Sequence, residues 1–163
     1  MIVFLDFDGV LHPDEVYVHP ERGVVLKTAN LPDAFQHLDL FCYADILANA
    51  LEGFDQARIV LSTSWVPTIG YSPSLARLPE ALRRRVIGAT YHARHTPRWN
   101  DQTRYEQIRE NVLYRDLGSE WIAIDNDDWG WPDEQRGRLV HTDDYQGIAD
   151  SAVLERLHRL LSA

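Results

Sequence analysis

Cys42 is the only cysteine among 163 residues. A lone thiol excludes an intrachain disulfide and points to a reducing compartment, the cytoplasm. It falls in a helical pattern beside Phe41 and Tyr43, a core or near-core position with no chemistry assigned to it. No apolar run approaches the roughly 20 residues needed to span a bilayer. The apolar start from Met1 to Leu5 has no basic flank and leads into acidic residues, which does not fit a signal peptide. There is no internal repeat, low-complexity segment or linker. Net positive charge is missing too. The formal charge is −9, which argues against nonspecific binding to nucleic acid or to an anionic membrane. The length suits a single domain, residues 1–163, with a full hydrophobic core.

The acidity is uneven. Arg77, Arg83, Arg84, Arg85, Arg94, Arg98, Arg104, Arg109 and Arg115 face only Glu80, Asp101, Glu106 and Glu110 within their own quarter of the chain. That segment is either a solvated helix face or a local anion-attracting surface.

The opening stretch carries the strongest signal. Ile2-Val3-Phe4-Leu5 reads as a buried strand, and Asp6-Phe7-Asp8-Gly9 follows where it runs out. Two carboxylates spaced i, i+2 share one face, and Gly9 permits a sharp exit. Close carboxylates repel and are costly to desolvate, so a divalent cation or a phosphoryl reaction would justify them. The plainer alternative is that they cap a turn.

The rest of the chain alternates strand and helix. Val16 to Val18 and Val24 to Lys27 pair as a hairpin around His19-Pro20-Glu21-Arg22-Gly23. Phe41, Ala44, Leu47, Ala48 and Leu51 form one helical face, ended by Gly53. Arg58 to Leu61 is a second buried strand, stopping at Ser62-Thr63-Ser64. Ser72-Pro73 predicts a helix start, and Val86 to Thr90 a short third strand. Thr103-Arg104-Tyr105-Glu106 is a capping box opening a helix through Ile108 and Val112. Trp121 to Ile124 is a fourth strand ending at Asp125, Leu139 to His141 a fifth, and Ala149 to Leu161 a closing helix. This pattern predicts an α/β, Rossmann-like domain: a mainly parallel central sheet, helices on both faces, and no large cap. In such sheets ligands bind beyond the carboxyl ends of the strands.

Three buried strands end in polar residues: Asp6 and Asp8, Ser62-Thr63-Ser64, and Asp125-Asn126-Asp127-Asp128. In a parallel sheet these meet at one edge. Carboxylates from two strands suit a hard cation, and oxygen donors with retained water suit Mg²⁺. Hydroxyls and backbone N–H groups suit phosphate oxygens. Arg104, at a helix start, is placed to balance charge. Strand alternation turns Ser62 and Thr63 opposite ways and favours Thr63 for the site.

This order of motifs resembles the haloacid dehalogenase-like (HAD) superfamily of phosphatases. Asp6-Phe7-Asp8-Gly9-Val10-Leu11 looks like its first motif, Val60-Leu61-Ser62-Thr63-Ser64 its second, Arg104 its third, and Trp121-Ile122-Ala123-Ile124-Asp125 with Asp127 and Asp128 its fourth. The stretch Asp6 to His12, with a Ser/Thr-rich strand end followed by Trp65, resembles small stand-alone members, including domains of multi-module RNA-repair proteins.

The resemblance implies a division of labour. Asp6 would be the nucleophile and Asp8 the general acid and base. Thr63, Ser64 and Arg104 would bind phosphate. Asp6, Asp8 (through its main-chain carbonyl) and Asp125, with Asp127 or Asp128 in support, would hold Mg²⁺. His12 would shape the pocket. Trp65, Trp99, Trp129 and Trp131 fall on or beside loops near the site, where each is a packing residue or a platform for a base. Neither the gap from Asp6 to Thr63 nor that from Thr63 to Arg104 has room for a folded cap, although residues 12–31 could serve as a flap. By resemblance, capless members act on large substrates or close the site by oligomerisation.

The expected activity is therefore a Mg²⁺-dependent phosphatase working through an aspartyl-phosphate. Its partner would be a phosphorylated substrate, with a polynucleotide end or a nucleotide among the candidates, and not a membrane. The competing readings are a catalytically idle binding module on the same fold and a phosphoacceptor signalling domain. The latter would need an acceptor Asp ending a middle strand, where this chain has Ser62-Thr63-Ser64.

Overall fold

The computed structural model describes residues 1–163. Five strands form one all-parallel sheet: β1 (Ile2–Leu5), β4 (Arg58–Leu61), β5 (Val86–Ala89), β6 (Trp121–Asp125) and β7 (Leu139–His141), in the spatial order β5-β4-β1-β6-β7. The first strand in sequence thus lies at the centre. Two short strands, β2 (Val16–His19) and β3 (Gly23–Leu26), form a separate antiparallel hairpin. No helix is long and apolar enough to cross a membrane.

Alternation along the strands explains why both faces are covered. Val3, Leu5, Ile59, Leu61, Ile122 and Ile124 join one core, with Leu47 of α1 (Ala44–Ala50), Leu82 of α4 (Glu80–Arg83) and Leu157 of α6 (Ser151–Leu161). Phe4, Val60, Trp121 and Ala123 join the other, with Ile108 and Val112 of α5 (Arg104–Arg115).

Register then delivers the strand ends together. Leu5 pairs with Leu61 on one side and Ile124 on the other. The Ser62 N–H donates to the Leu5 carbonyl (2.8 Å) and the Asp6 N–H to the Ile124 carbonyl (3.1 Å). Asp6, Ser62 and Asp125 therefore leave the sheet at one level. By alternation, Asp6 and Asp125 fall on the α5 side.

Most expected elements are present with shifted ends. The capping box forms as read: the Thr103 hydroxyl accepts from the Glu106 N–H, and the Glu106 carboxylate accepts from the Thr103 N–H. α3 (Tyr71–Ala76) begins one residue before Ser72, directly after Gly70, whose φ of 98° breaks it from α2 (Trp65–Ile69). α6 starts at Ser151 because the Asp150 side chain caps it through the Ala152 N–H. Phe41 lies before α1 with φ 62°, a conformation that costs a bulky residue about 1–3 kcal/mol and persists only where its surroundings hold it.

Candidate active site

The Asp6 carboxylate is buried, with only 4% of the residue exposed. Its Oδ1 accepts from the Phe7 N–H (2.7 Å), and its Oδ2 accepts from Arg104 Nη2 (3.0 Å). The Thr63 hydroxyl stands beside it and favours the charged form. Arg104 is the first residue of α5, so the capping box that starts the helix also aims this guanidinium at the strand ends. Its Nε lies 2.8 Å from Asp125 Oδ2, an ion pair without hydrogen-bond alignment that leaves Asp125 Oδ2 with no hydrogen-bond partner.

One cation between two buried carboxylates leaves one negative charge over. Burial pushes Asp125 well above the usual carboxylate range, and repulsion from Asp6 adds to this against the pull of Arg104. Burial likewise raises Asp6, opposed by Arg104 and reinforced by Asp8. Burial alone would lower Arg104, but Asp6, Asp125 and Asp127 outweigh it and raise the guanidinium. An orphaned carboxylate oxygen beside surplus negative charge is a setting that a divalent cation relieves. No group of three or more His, Cys, Asp or Glu side chains is arranged to hold a metal ion. The side chains thus supply two carboxylates and not a closed cage, which suits a hard cation that keeps several waters.

Asp8 is held differently. Its Oδ1 accepts from the Trp65 indole N–H (2.7 Å) and from His12 Nε2 (3.0 Å), while Oδ2 makes no hydrogen bond. The Phe41 N–H donates to His12 Nδ1 (3.2 Å), which makes Nδ1 an acceptor and leaves the ring proton on Nε2. His12 is fully buried. Its ring packs edge-on against Phe41 (4.9 Å between centroids) and Trp65 (5.7 Å), and Phe41 in turn packs on Phe7 (5.1 Å). Phe41 thus meets His12 both through its backbone N–H and through its ring. Gly9, with φ 65°, makes the turn behind Asp8, and a Cβ there would come within 2.5 Å of the Asn126 side chain.

The remaining candidates divide. Ser64 and Asp127 line a cleft of about 360 Å³ with Arg104. Ser62 Oγ is buried without a partner. Asp128 is not gathered with Asp6 and Asp125. Its carboxylate is half exposed and pairs with Arg136 Nη1 at 2.7 Å, a hydrogen bond that holds it below the usual range. Asp127 is the nearer acid: its N–H donates to Asp125 Oδ1 (3.0 Å), and its charge raises both Arg104 and Asp125. The Arg-rich segment also divides. Arg85 is buried and donates to the Leu51, Phe54 and Ala57 carbonyls below α1; Arg115 donates to the Ile87 carbonyl; Arg83 pairs with Glu80. Arg84, Arg94 and Arg98 are exposed and form no ion pair. Of the four tryptophans named for the site, Trp65, Trp99 and Trp131 are buried and only Trp129 is exposed.

Sequence reasoning missed the grip of Trp65 and His12 on Asp8. The only signal was their nearness to the motifs. An indole reaching back across 57 residues is set by packing and not by spacing.

A central parallel sheet whose strand ends carry Asp6, Asp8 and Asp125, with a basic residue opening the helix that leads into the Asp125 strand, defines a HAD-like domain. The model of the family described as "HAD domain in Swiss Army Knife RNA repair proteins" matches residues 2–153, and the chain belongs to that family. No curated protein and no solved structure matches it significantly. Membership places the chain in a superfamily of hydrolases and phosphatases.

Proposed function

We propose that this chain is a Mg²⁺-dependent phosphomonoester hydrolase that works through an aspartyl-phosphate, with residues 1–163 as one catalytic unit, residues 12–31 as a flap, and a cytoplasmic location. The observation that carries the reading is the contrast between the two motif acids. The Asp6 carboxylate is fixed by Arg104 and the Phe7 N–H, and Asp8 stands two residues on with one oxygen anchored and the other free.

The Asp6 carboxylate attacks phosphorus while the bond to the ester oxygen breaks, and Asp8 gives that leaving oxygen its proton. Asp8 then takes a proton from water, which attacks the aspartyl-phosphate and releases inorganic phosphate and free Asp6. Arg104, Thr63 and Ser64 hold the phosphoryl oxygens. Asp6 and Asp125, with the Asp8 main-chain carbonyl, would hold Mg²⁺, which supplies charge neutralisation on the phosphoryl group. Asp127 is the supporting acid in preference to Asp128.

The family's occurrence in RNA-repair proteins supports a phosphate at a polynucleotide end, or on a nucleotide, as substrate. The test is a panel of phosphomonoesters, including 3′- and 5′-phosphorylated oligonucleotides, with Asp6→Asn as the blank and EDTA followed by Mg²⁺ as the metal control. Turnover with phosphate trapped on Asp6 supports the reading. A stable phosphorylated protein without turnover indicates a phosphoacceptor, and neither outcome indicates a binding module.

A further inference from the structure

Trp129 has no part in the chemistry above, yet it stands beside it. It is 73% exposed and lies on the rim of the cleft lined by Ser64, Trp99, Gln102, Arg104 and Asp127. An indole in water forgoes a large burial gain, and Trp65, Trp99 and Trp131 all take that gain.

Its mounting is firm. The Trp129 N–H donates to Asp127 Oδ1 (2.9 Å), and the Asp127 N–H donates to Asp125 Oδ1 (3.0 Å). Gly130, with φ 75°, presses on the cap of α5, where a Cβ would come within 2.6 Å of the Thr103 side chain. Trp131 is buried against Tyr105 (5.2 Å between centroids) and Trp121 (6.3 Å). The backbone that carries the exposed ring is therefore held on both sides within the loop that leaves Asp125.

The cleft beside it carries polar groups of the kind that read a heterocycle. Gln102 Oε1 is buried there without a hydrogen-bond partner. The Arg104 guanidinium lies 5.9 Å over the buried Trp99 ring. A chain of net charge −9 cannot hold a nucleotide by diffuse attraction, so affinity must come from a few local contacts, and stacking on an indole does not depend on charge sign.

We infer that the exposed Trp129 ring, mounted on the loop that carries Asp125 and Asp127, is a stacking wall for the nucleobase attached to the phosphorylated substrate. This rests on the phosphatase reading for the position of the phosphate. The base lies along Trp129 with its phosphate toward Ser64 and Arg104. A phosphorylated sugar without a base lacks this contact.

The experiment measures binding in the Asp6→Asn protein, so that turnover does not enter. The probes are adenosine 5′-monophosphate, adenosine 3′-monophosphate and ribose 5-phosphate, each with and without Trp129→Ala. At least one adenosine monophosphate should bind about tenfold more weakly to the Trp129→Ala protein, the scale of one lost base–aromatic stack, and ribose 5-phosphate should change by less than about twofold. Trp129→Phe should keep most of the affinity. Tryptophan fluorescence should be quenched by the nucleotide and not by the sugar phosphate, and Trp129→Ala should abolish that quenching. An equal loss for all three probes, no loss, or no binding of any probe overturns the inference; an exposed Trp129 that serves another protein gives the second result. The phosphatase reading fails separately, by absence of turnover in the Asp6-containing protein with Mg²⁺, and a base-selective loss of binding would still stand in that case.

Discussion

Asp6 and Asp8 lie two residues apart at the exit of one strand, yet they are held by different kinds of partner. Asp6 shares a guanidinium with Asp125 in a buried group that carries one negative charge too many. Asp8 is half-buried and rests on two neutral donors, the Trp65 indole and the His12 ring. A carboxylate gripped by a cation is fixed in place, as a nucleophile needs to be. A carboxylate anchored through one oxygen by neutral groups keeps its other oxygen free to exchange a proton. The same residue type at adjacent positions on one face is thus assigned two tasks by its surroundings.

The comparison breaks most sharply at Asp6. Asp6→Asn is nearly isosteric and should keep the fold but remove essentially all phosphatase turnover; retained activity would sink the mechanism. Asp8→Asn should slow turnover by roughly 10²–10⁴, the scale of lost general acid–base help. Because Asp8 protonates the leaving oxygen, the Asp8→Asn deficit should shrink on an ester with an acidic leaving group, such as a nitrophenyl phosphate, and an equal deficit on alkyl and aryl esters would remove Asp8 from that role.

The neutral anchor is tested by Trp65→Phe, which keeps an aromatic ring in place but deletes the N–H to Asp8. We expect kcat to fall about tenfold with KM nearly unchanged, since one hydrogen bond to a charged group is worth about 1.5 kcal/mol or more. A rise in KM with kcat intact would mean that Trp65 serves the substrate and not Asp8.

The smallest effect concerns stability and has the opposite sign from most active-site changes. Asp6 and Asp125 both titrate above the usual 3.8 in the folded chain. The folded state then binds protons that the unfolded state has released. The stabilisation from these protons is complete below about pH 3.8 and is lost as pH rises through the folded values. Asp125→Asn removes the surplus charge. Without added metal it should match the native protein at acid pH and melt at a higher temperature than the native protein at pH 8. Mg²⁺ should close the gap by stabilising the native chain alone. Thermal denaturation at two pH values in EDTA checks this, and a destabilised Asp125→Asn at both would mean that Arg104 alone satisfies the pair.

Much of this was legible before any coordinates. Strand and helix alternate with apolar periodicity because each element must bury one face or both, so a parallel α/β sheet follows from Ile2–Leu5, Arg58–Leu61 and Trp121–Ile124. The acids at two strand ends, the hydroxyls at a third and the capping box that places Arg104 are local patterns, and each was readable in place. What was not legible depends on the partner that a side chain meets across the fold. Asp127 and Asp128 are neighbours with the same chemistry, and only the position of Arg136 draws Asp128 away. Trp129 and Trp131 are two residues apart, and only the packing of Tyr105 and Trp121 decides which is buried. Trp65 and His12 reach Asp8 from different elements, through a ring tautomer set by the backbone N–H of Phe41. Periodicity and spacing are properties of short windows and survive in a linear string. Charge compensation, burial and hydrogen-bond direction are sums over residues far apart in the chain, and only folding brings those residues together.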